Sequence, residues 1–243
     1  MTKLHNAKYR FGFTGTLDGS KTHKWVLEGL FGKCEQVTKT DDLIKEGYLS
    51  NFRIKILLCK HAPQYFESYQ DEIEYLVDHK GRNNLIKNLV KDLDGNTLVL
   101  FNYVEKHGTP LYELINNNVD SARKVFFVHG GTDVEDREEV RNLTETESNA
   151  IIVASYGTFS TGINIKRLHN IVFASPSKSR IRNLQSIGRV LRKGEGKDIA
   201  TLYDIADDIG GQNYTLKHLN ERVNIYNNEN FKYEVIRVNL RAN

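Results

Sequence analysis

Gln185-Ser186-Ile187-Gly188-Arg189-Val190-Leu191-Arg192-Lys193-Gly194 is the stretch whose residue types best fit chemistry on a charged substrate. Arg189 and Arg192 stand three positions apart, so a helix here would project both from one face. Arginine stays charged and offers a planar fork of donors, which suits the oxygens of a polyphosphate. In phosphoryl transfer such a side chain stabilises the charge that builds on the γ-phosphate. Gly188 would let another backbone approach closely. The plain alternative is a helix with a solvated basic face.

Two further clusters carry polar groups directly after apolar runs. Ile151-Ile152-Val153-Ala154-Ser155 opens into Tyr156-Gly157-Thr158-Phe159-Ser160-Thr161-Gly162-Ile163-Asn164-Ile165. If the run is a buried strand, these hydroxyls and glycines stand at its carboxyl end, where ligands bind in open α/β sheets. The hydroxyls and exposed amides there could then hold sugar-phosphate oxygens, or the hydroxyls could serve only their own backbone. Val128-His129-Gly130-Gly131-Thr132-Asp133 has the same form, with adjacent glycines able to present amides to a phosphate. His129 taken alone fits a structural strand-end residue better than a catalyst. Phe101-Asn102-Tyr103 closes another apolar run, where an aromatic could stack on a base or simply pack.

Such residues need a parallel sheet to hold them. Short apolar runs alternate with longer amphipathic ones, the rhythm of βαβ units. Strands are expected at Arg53–Cys59, Thr97–Phe101, Lys124–His129, Ala150–Ala154, Asn170–Ala174 and Ile199–Tyr203. The middle four are almost continuously apolar, as strands covered on both faces should be. Helices are expected at Pro63–Val77, Asn83–Leu93, Val104–Asn117 (with Asn102 as a possible cap), Val134–Leu143 and Ser179–Leu191. Acidic residues early in Val134–Leu143 suit a helix amino end. After Gly210-Gly211 the pattern predicts a helix over Tyr214–Tyr226, then an alternating strand over Tyr233–Leu240 that would cover one sheet edge.

Composition narrows the classes. The chain has 243 residues, enough for one large domain or a domain with an appendage. A net charge of +3 does not point to nucleic acid, so any nucleic-acid face must be a local patch. Cys34 and Cys59 lie far apart with no metal-ligand spacing, which fits reduced packing cysteines. No secretory signal follows Met1, and no apolar run approaches the ~20 residues of a membrane span. A cytoplasmic location is expected, the host-cell cytoplasm if the gene is phage-encoded.

The order of the segments is more specific than any one of them. Phe13-Thr14-Gly15-Thr16-Leu17 precedes a strand ending Leu98-Val99-Leu100-Phe101, then His129-Gly130 before an acidic, Arg-containing helix. The Ala154-Ser155…Thr161-Gly162-Ile163-Asn164-Ile165 loop and Gln185-Ser186-Ile187-Gly188-Arg189-Val190-Leu191-Arg192 follow. This resembles motifs III, IV, V and VI of superfamily 2 nucleic-acid helicases, from about Phe11 to Lys193, and is nearest to the UvsW-type phage recombination and repair helicases. XPB-type and restriction-enzyme translocases are more distant likenesses.

The resemblance implies a role for each matching position. Thr14, Gly15 and Thr16 would couple the nucleotide site to the nucleic-acid track. Gln185, Arg189 and Arg192 would face ATP held on another motor domain, with Arg192 the leading arginine finger. Gly162 and Asn164 would lie on the nucleotide side of motif V, while Ser155 and Thr158 would touch the phosphate backbone. His129, Gly130, Asn102 and Lys106 would line the same track. Asn164 stands where many family members carry Asp, and the Ser155-to-Gly162 interval is a residue longer than the commonest form.

No G-x-x-x-x-G-K-[ST] sequence occurs; Gly29-Leu30-Phe31-Gly32-Lys33-Cys34 comes nearest but puts Cys in the hydroxyl position. The acidic pairs Asp71-Glu72 and Asp207-Asp208 are read as lying away from the end of any apolar strand. The expectation is therefore a RecA-like α/β domain without its own P-loop, from a truncated gene product or half of a split system. Residues 1–46 would be a remnant of the first motor domain with a linker, 47–206 the RecA-like domain, and 207–243 a helix–strand extension. The implied function is the second motor domain of an ATP-dependent DNA helicase or translocase of recombination and repair. ATP and Mg²⁺ would be bound mainly by the first domain, none tightly by this chain, and no metal site is expected. DNA is the expected partner, with RNA as an open alternative and no membrane. A non-catalytic nucleic-acid docking module and the translocase half of a restriction-type enzyme are the rivals. A dinucleotide-dependent oxidoreductase fits the βαβ rhythm but lacks G-x-G-x-x-G, since Gly194-Glu195-Gly196 runs into Lys-Asp-Ile.

Overall fold

The computed structural model describes residues 7–14, 17, 21–161, 165, 167–175, 177, 179–193 and 199–240. Its elements in chain order are α1 (Lys21–Phe31), α2 (Thr40–Lys45), β1 (Asn51–Lys60), α3 (Tyr69–Asp78), α4 (Lys80–Asp92), β2 (Asn96–Phe101), α5 (Thr109–Asn116), β3 (Val125–Val128) and α6 (Val134–Thr146). There follow β4 (Ile151–Ser155), α7 (Tyr156–Thr161), β5 (Leu168–Phe173), α8 (Arg180–Val190), β6 (Ile199–Asp208), α9 (Tyr214–Asn228) and β7 (Tyr233–Asn239). The strands form one seven-stranded sheet in the order β3-β4-β2-β5-β6-β1-β7, and every pairing is parallel. This is the expected RecA-like α/β sheet.

Strand alternation divides the core into two layers. Leu98, Leu100, Ile152, Ala154, Ile171 and Phe173 face one side, packed with Phe159, Ile187, Val190, Leu219 and Tyr226 from α7, α8 and α9. Val99, Phe101, Ile151, Val153 and Val172 face the other, packed with Ile86, Val90, Leu111 and Ile115 from α4 and α5. Both faces of the central strands are covered, so they carry no polar face. All six residues of β2 and all five of β4 are buried.

Several elements depart from the sequence expectation for local reasons. The helix expected over Val104–Asn117 begins as a π-helical turn at Val104–Gly108, with the Gly108 N–H reaching the Tyr103 carbonyl at 2.8 Å. Pro110 explains the irregularity, since it cannot donate and crowds the preceding turn; α5 starts only at Thr109. Gly108 is also forced by packing, because a Cβ there would sit 2.5 Å from the Phe101 ring. The helix expected from Pro63 starts at Tyr69, where Ser68 and Asp71 close a reciprocal capping box. The polar stretch after β4 is not a loop throughout, for Tyr156–Thr161 coil into α7 with Tyr156 and Phe159 buried.

The strand expected at Ile199–Tyr203 runs on to Asp208. Asp207-Asp208 therefore does end an apolar strand, which corrects the reading of that pair. The boundary drawn at 206/207 falls inside β6, and β7 joins the same sheet beside β1. At the other end, residues 7–14 form no strand, α1 has no buried residue, and Tyr9, Phe11, Phe13 and Trp25 are exposed.

Candidate nucleotide and nucleic-acid interface

Because all strands run one way, the sheet has a carboxyl edge and an amino edge. Asn102 follows β2, His129 and Gly130 follow β3, Ser155 ends β4 and Ser175 follows β5, so all five share the carboxyl edge. From Ser175 the chain enters α8, which returns across one face for about 16 Å. It emerges beside the start of β1, where the Ser50 N–H donates to the Leu191 carbonyl at 2.9 Å and Leu49 bridges Arg192 in antiparallel fashion. The arginine-bearing segment thus ends at the amino edge, opposite the polar loops.

This geometry corrects one expectation about the arginines. α8 ends at Val190, so Arg192 is not on the helix but in the extended bridge that follows. Pairing with Leu49 and Ser50 captures the backbone there and ends the helix. Arg192 and Gln185 are exposed, whereas Asn183, Ser186, Ile187, Val190 and Leu191 form the buried side. Arg189 lies in the last turn of α8, one residue before its end. Gly162, Asn164, Gly15 and Thr16 lie outside the described residues; Thr14 is exposed at the end of the irregular stretch 7–14.

At the carboxyl edge the groups are held firmly. Ser155 and Thr158 are both buried, with their hydroxyls 2.9 Å apart, and Ser155 Oγ also accepts from the Thr158 N–H at 3.3 Å. These hydroxyls therefore brace the start of α7 in the form described, and a phosphate could reach them only by opening the pair. The His129 N–H donates to Thr132 Oγ1, and His129 Nδ1 accepts from the Gly131 N–H at 3.1 Å, so the ring shapes the glycine turn. Gly130 is exposed at the tip. Lys106 projects from the π-helical turn and meets Glu74 at 2.6 Å, an exposed pair of little energetic weight. The Asn102 N–H donates to Ser175 Oγ at 3.2 Å.

Behind the loops lie buried charges whose partners the sequence does not announce. Arg222 of α9 and Asp204 of β6 are both fully buried, joined by Nε at 2.9 and 3.1 Å and Nη2 at 2.8 Å. Tyr226 donates to the same carboxylate at 2.8 Å, and burial followed by Asp204 pushes its phenol well above the usual range. Asp207 accepts from Arg82 Nε and lies 2.9 Å from His61 Nε2. Burial alone would raise its carboxyl, but Arg82 and then His61 outweigh that and hold it down at about 2. Glu72 is also fully buried, accepting from the N–H groups of Tyr214 and Thr215 at 2.7 Å each and so capping α9. One signal was available for the first pair: Leu219, Arg222 and Tyr226 recur at helical spacing on the apolar stripe of α9. Among the described residues no group of three or more His, Cys, Asp or Glu is placed to hold a metal, and no helix is long and apolar enough to cross a membrane.

Known proteins bear on this arrangement. Residues 81–194 match the family described as the helicase conserved C-terminal domain. Over 98% of its length the chain is 36% identical to the ATP-dependent DNA helicase uvsW of Enterobacteria phage T4, covering 51% of that protein. The crystal structure of T4 UvsW aligns with a TM-score of 0.66 at 34% identity, over 90% of this chain and 46% of that one. The ATP-dependent Type ISP restriction-modification enzyme LlaBIII bound to DNA shares the fold, with a TM-score of 0.61 at 16% identity over 89% of this chain and 17% of that one. The chain spans about half the length, or less, of the curated relatives it matches. Parallel sheet, motif order and likeness to UvsW agree: the chain belongs to the superfamily 2 helicases and carries their C-terminal, second RecA-like domain.

Proposed function

We propose that this chain is the second motor domain of an ATP-dependent DNA helicase or translocase acting in recombination and repair in the cytoplasm. The observation that carries the reading is the division of labour between the two sheet edges. α8 starts beside the carboxyl-edge loops and delivers Arg192 to the amino edge, so one rigid element spans both groups of candidate residues. Arg192 and Arg189, with Gln185, would face the triphosphate of ATP and Mg²⁺ held on a first motor domain. The nucleotide supplies the phosphoryl transfer; the arginines contribute positive charge where negative charge develops. Gly162 and Asn164 are assigned to the nucleotide side of the adjoining loop.

The nucleic-acid track is assigned to Asn102, Lys106, His129, Gly130, Ser155 and Thr158. Backbone amides and Lys106 would contact phosphates, while Ser155 and Thr158 set the loop's shape. Thr14, Gly15 and Thr16 are assigned to coupling with the first domain. Exposure of Tyr9, Phe11, Phe13 and Trp25 supports placing residues 1–46 against that partner domain, which would cover them.

Binding of labelled single-stranded and duplex DNA, and of RNA of the same sequence, tests the track across a salt series. Weak binding to DNA is expected, falling steeply with salt, with Lys106→Ala flattening the log–log salt slope by roughly one phosphate contact. Salt-independent binding, or none at any salt, overturns the assignment; tighter binding to RNA replaces the substrate class. DNA binding that needs the Ser155–Asn164 loop, with ATP turnover beside a first motor domain indifferent to Arg192→Ala, favours the docking-module alternative.

A further inference from the structure

Ser175 stands where the chain leaves β5 for α8, and it is 2% exposed. Its hydroxyl and carbonyl meet three other segments. Ser175 Oγ accepts from the Asn102 N–H at 3.2 Å and lies 2.9 Å from His107 Nδ1 in the π-helical turn. Its carbonyl accepts from Tyr156 Oη at 3.2 Å, at the start of α7. Its own N–H donates to the Leu100 carbonyl of β2.

The protons in this network have one consistent placement. Asn83 Nδ2 donates to the Val77 carbonyl at 2.8 Å, so Asn83 Oδ1 faces His107 Nε2 at 3.3 Å. A carbonyl oxygen can only accept, so His107 carries its proton on Nε2 and leaves Nδ1 as an acceptor. Ser175 must then donate its hydroxyl proton to His107 and accept from Asn102. Burial, with Arg82 adding repulsion, holds the imidazole's proton affinity down at about 3, so the ring stays neutral as this placement requires. Two residues further on, the Ser177 carbonyl accepts from Asn183 of α8 at 3.0 Å and Arg222 of α9 at 3.4 Å. The start of α8 is therefore anchored from both sides.

We propose that Ser175 is a positioning residue that links the carboxyl-edge loops after β2 and β4 to α8, and through α8 to Arg192. This rests on the helicase reading above. A displacement of Asn102 or Tyr156 by a bound strand is passed to the start of α8 because each is bonded to the same buried residue. α8 then carries it to the amino edge as a rigid rod. Ser175 itself touches neither ligand.

The test uses the chain as it stands, isotope-labelled, titrated with a single-stranded oligodeoxynucleotide and followed by NMR. In the unaltered protein, DNA is expected to shift the signals of Asn102, Lys106 and His129 and also those of Gln185 and Arg192. In Ser175→Ala the loop signals still shift while those of Gln185 and Arg192 respond at least about fivefold less. The His107 ring nitrogens should report an Nε2–H tautomer before the change and a tautomer mixture after it. Tyr156→Phe breaks the second arm while keeping the ring, and should weaken the same transmission if Ser175→Ala folds poorly. Equal shifts at Gln185 and Arg192 in the variants and the unaltered protein overturn the proposal alone. If DNA shifts no signal in the unaltered protein, the nucleic-acid assignment fails and the proposal with it.

Discussion

Replacing Arg222 by Met removes all three guanidinium hydrogen bonds to Asp204 and the bond to the Ser177 carbonyl, leaving a fully buried carboxylate that still accepts from Tyr226. An uncompensated buried charge costs about 3–5 kcal/mol when its partner is removed. For a chain of this length each kcal/mol moves Tm by about 2–4 °C, so a fall of roughly 6–20 °C is expected. The double variant Arg222→Met with Asp204→Leu removes the stranded carboxylate as well and should recover at least about 2 kcal/mol, because apolar replacement of a buried pair is often nearly neutral. Urea unfolding followed by far-UV circular dichroism is the suitable assay. Fluorescence is not, since the single tryptophan, Trp25, is 66% exposed on α1, which has no buried residue. A loss under about 1 kcal/mol in the single variant, or a double variant that merely sums two single losses, would refute the reasoning.

Two further outcomes follow from buried titratable groups. His107 binds its proton near 3 in the fold against 6.5 ordinarily, so the unfolded chain takes up a proton that the folded chain refuses as pH falls through 6.5. Stability should fall by about 1.4 kcal/mol per pH unit from this group between those values. His107→Gln should reduce the measured slope of unfolding free energy against pH by about that amount between pH 5.5 and 4.5, and an unchanged slope counts against the buried neutral ring. Burial pushes the Cys59 thiol up to about 12, so thiolate is scarce at neutral pH. Alkylation followed by mass spectrometry should label Cys34 and spare Cys59 in the folded protein; equal labelling would contradict the placement.

What the sequence disclosed was what depends on local pattern. The apolar runs at Thr97–Phe101 and Ala150–Ala154 could be read as strands because burial on both faces excludes polar residues. The order of the Ser155 and Arg189 segments disclosed the family for a similar reason: their chemistry is local. What stayed hidden depends on partners far apart in the chain. Arg82 meets Asp207 across 125 positions and Glu72 caps α9 across more than 140, and no spacing rule announces either. Asp204 and Asp207 masked the second half of β6, since carboxylates in a strand look like its end until their arginines are found. The three-residue spacing from Arg189 allows Arg192 to sit on a helix; the bridge to Leu49, more than 140 positions away, takes it off. Pro110 was in plain view, but the π-helical turn that absorbs it also needs Gly108 against Phe101.

The most direct test of the central claim is ATP hydrolysis by a P-loop-bearing first motor domain of this family, assayed with and without this chain and with DNA. Turnover should need both parts together, with this chain inactive alone. Arg192→Ala and Arg189→Ala should each lower the rate by about 10³-fold or more, the range for loss of an arginine finger, while leaving DNA binding intact. Robust hydrolysis by this chain alone, or full turnover with both arginines replaced, would contradict the account.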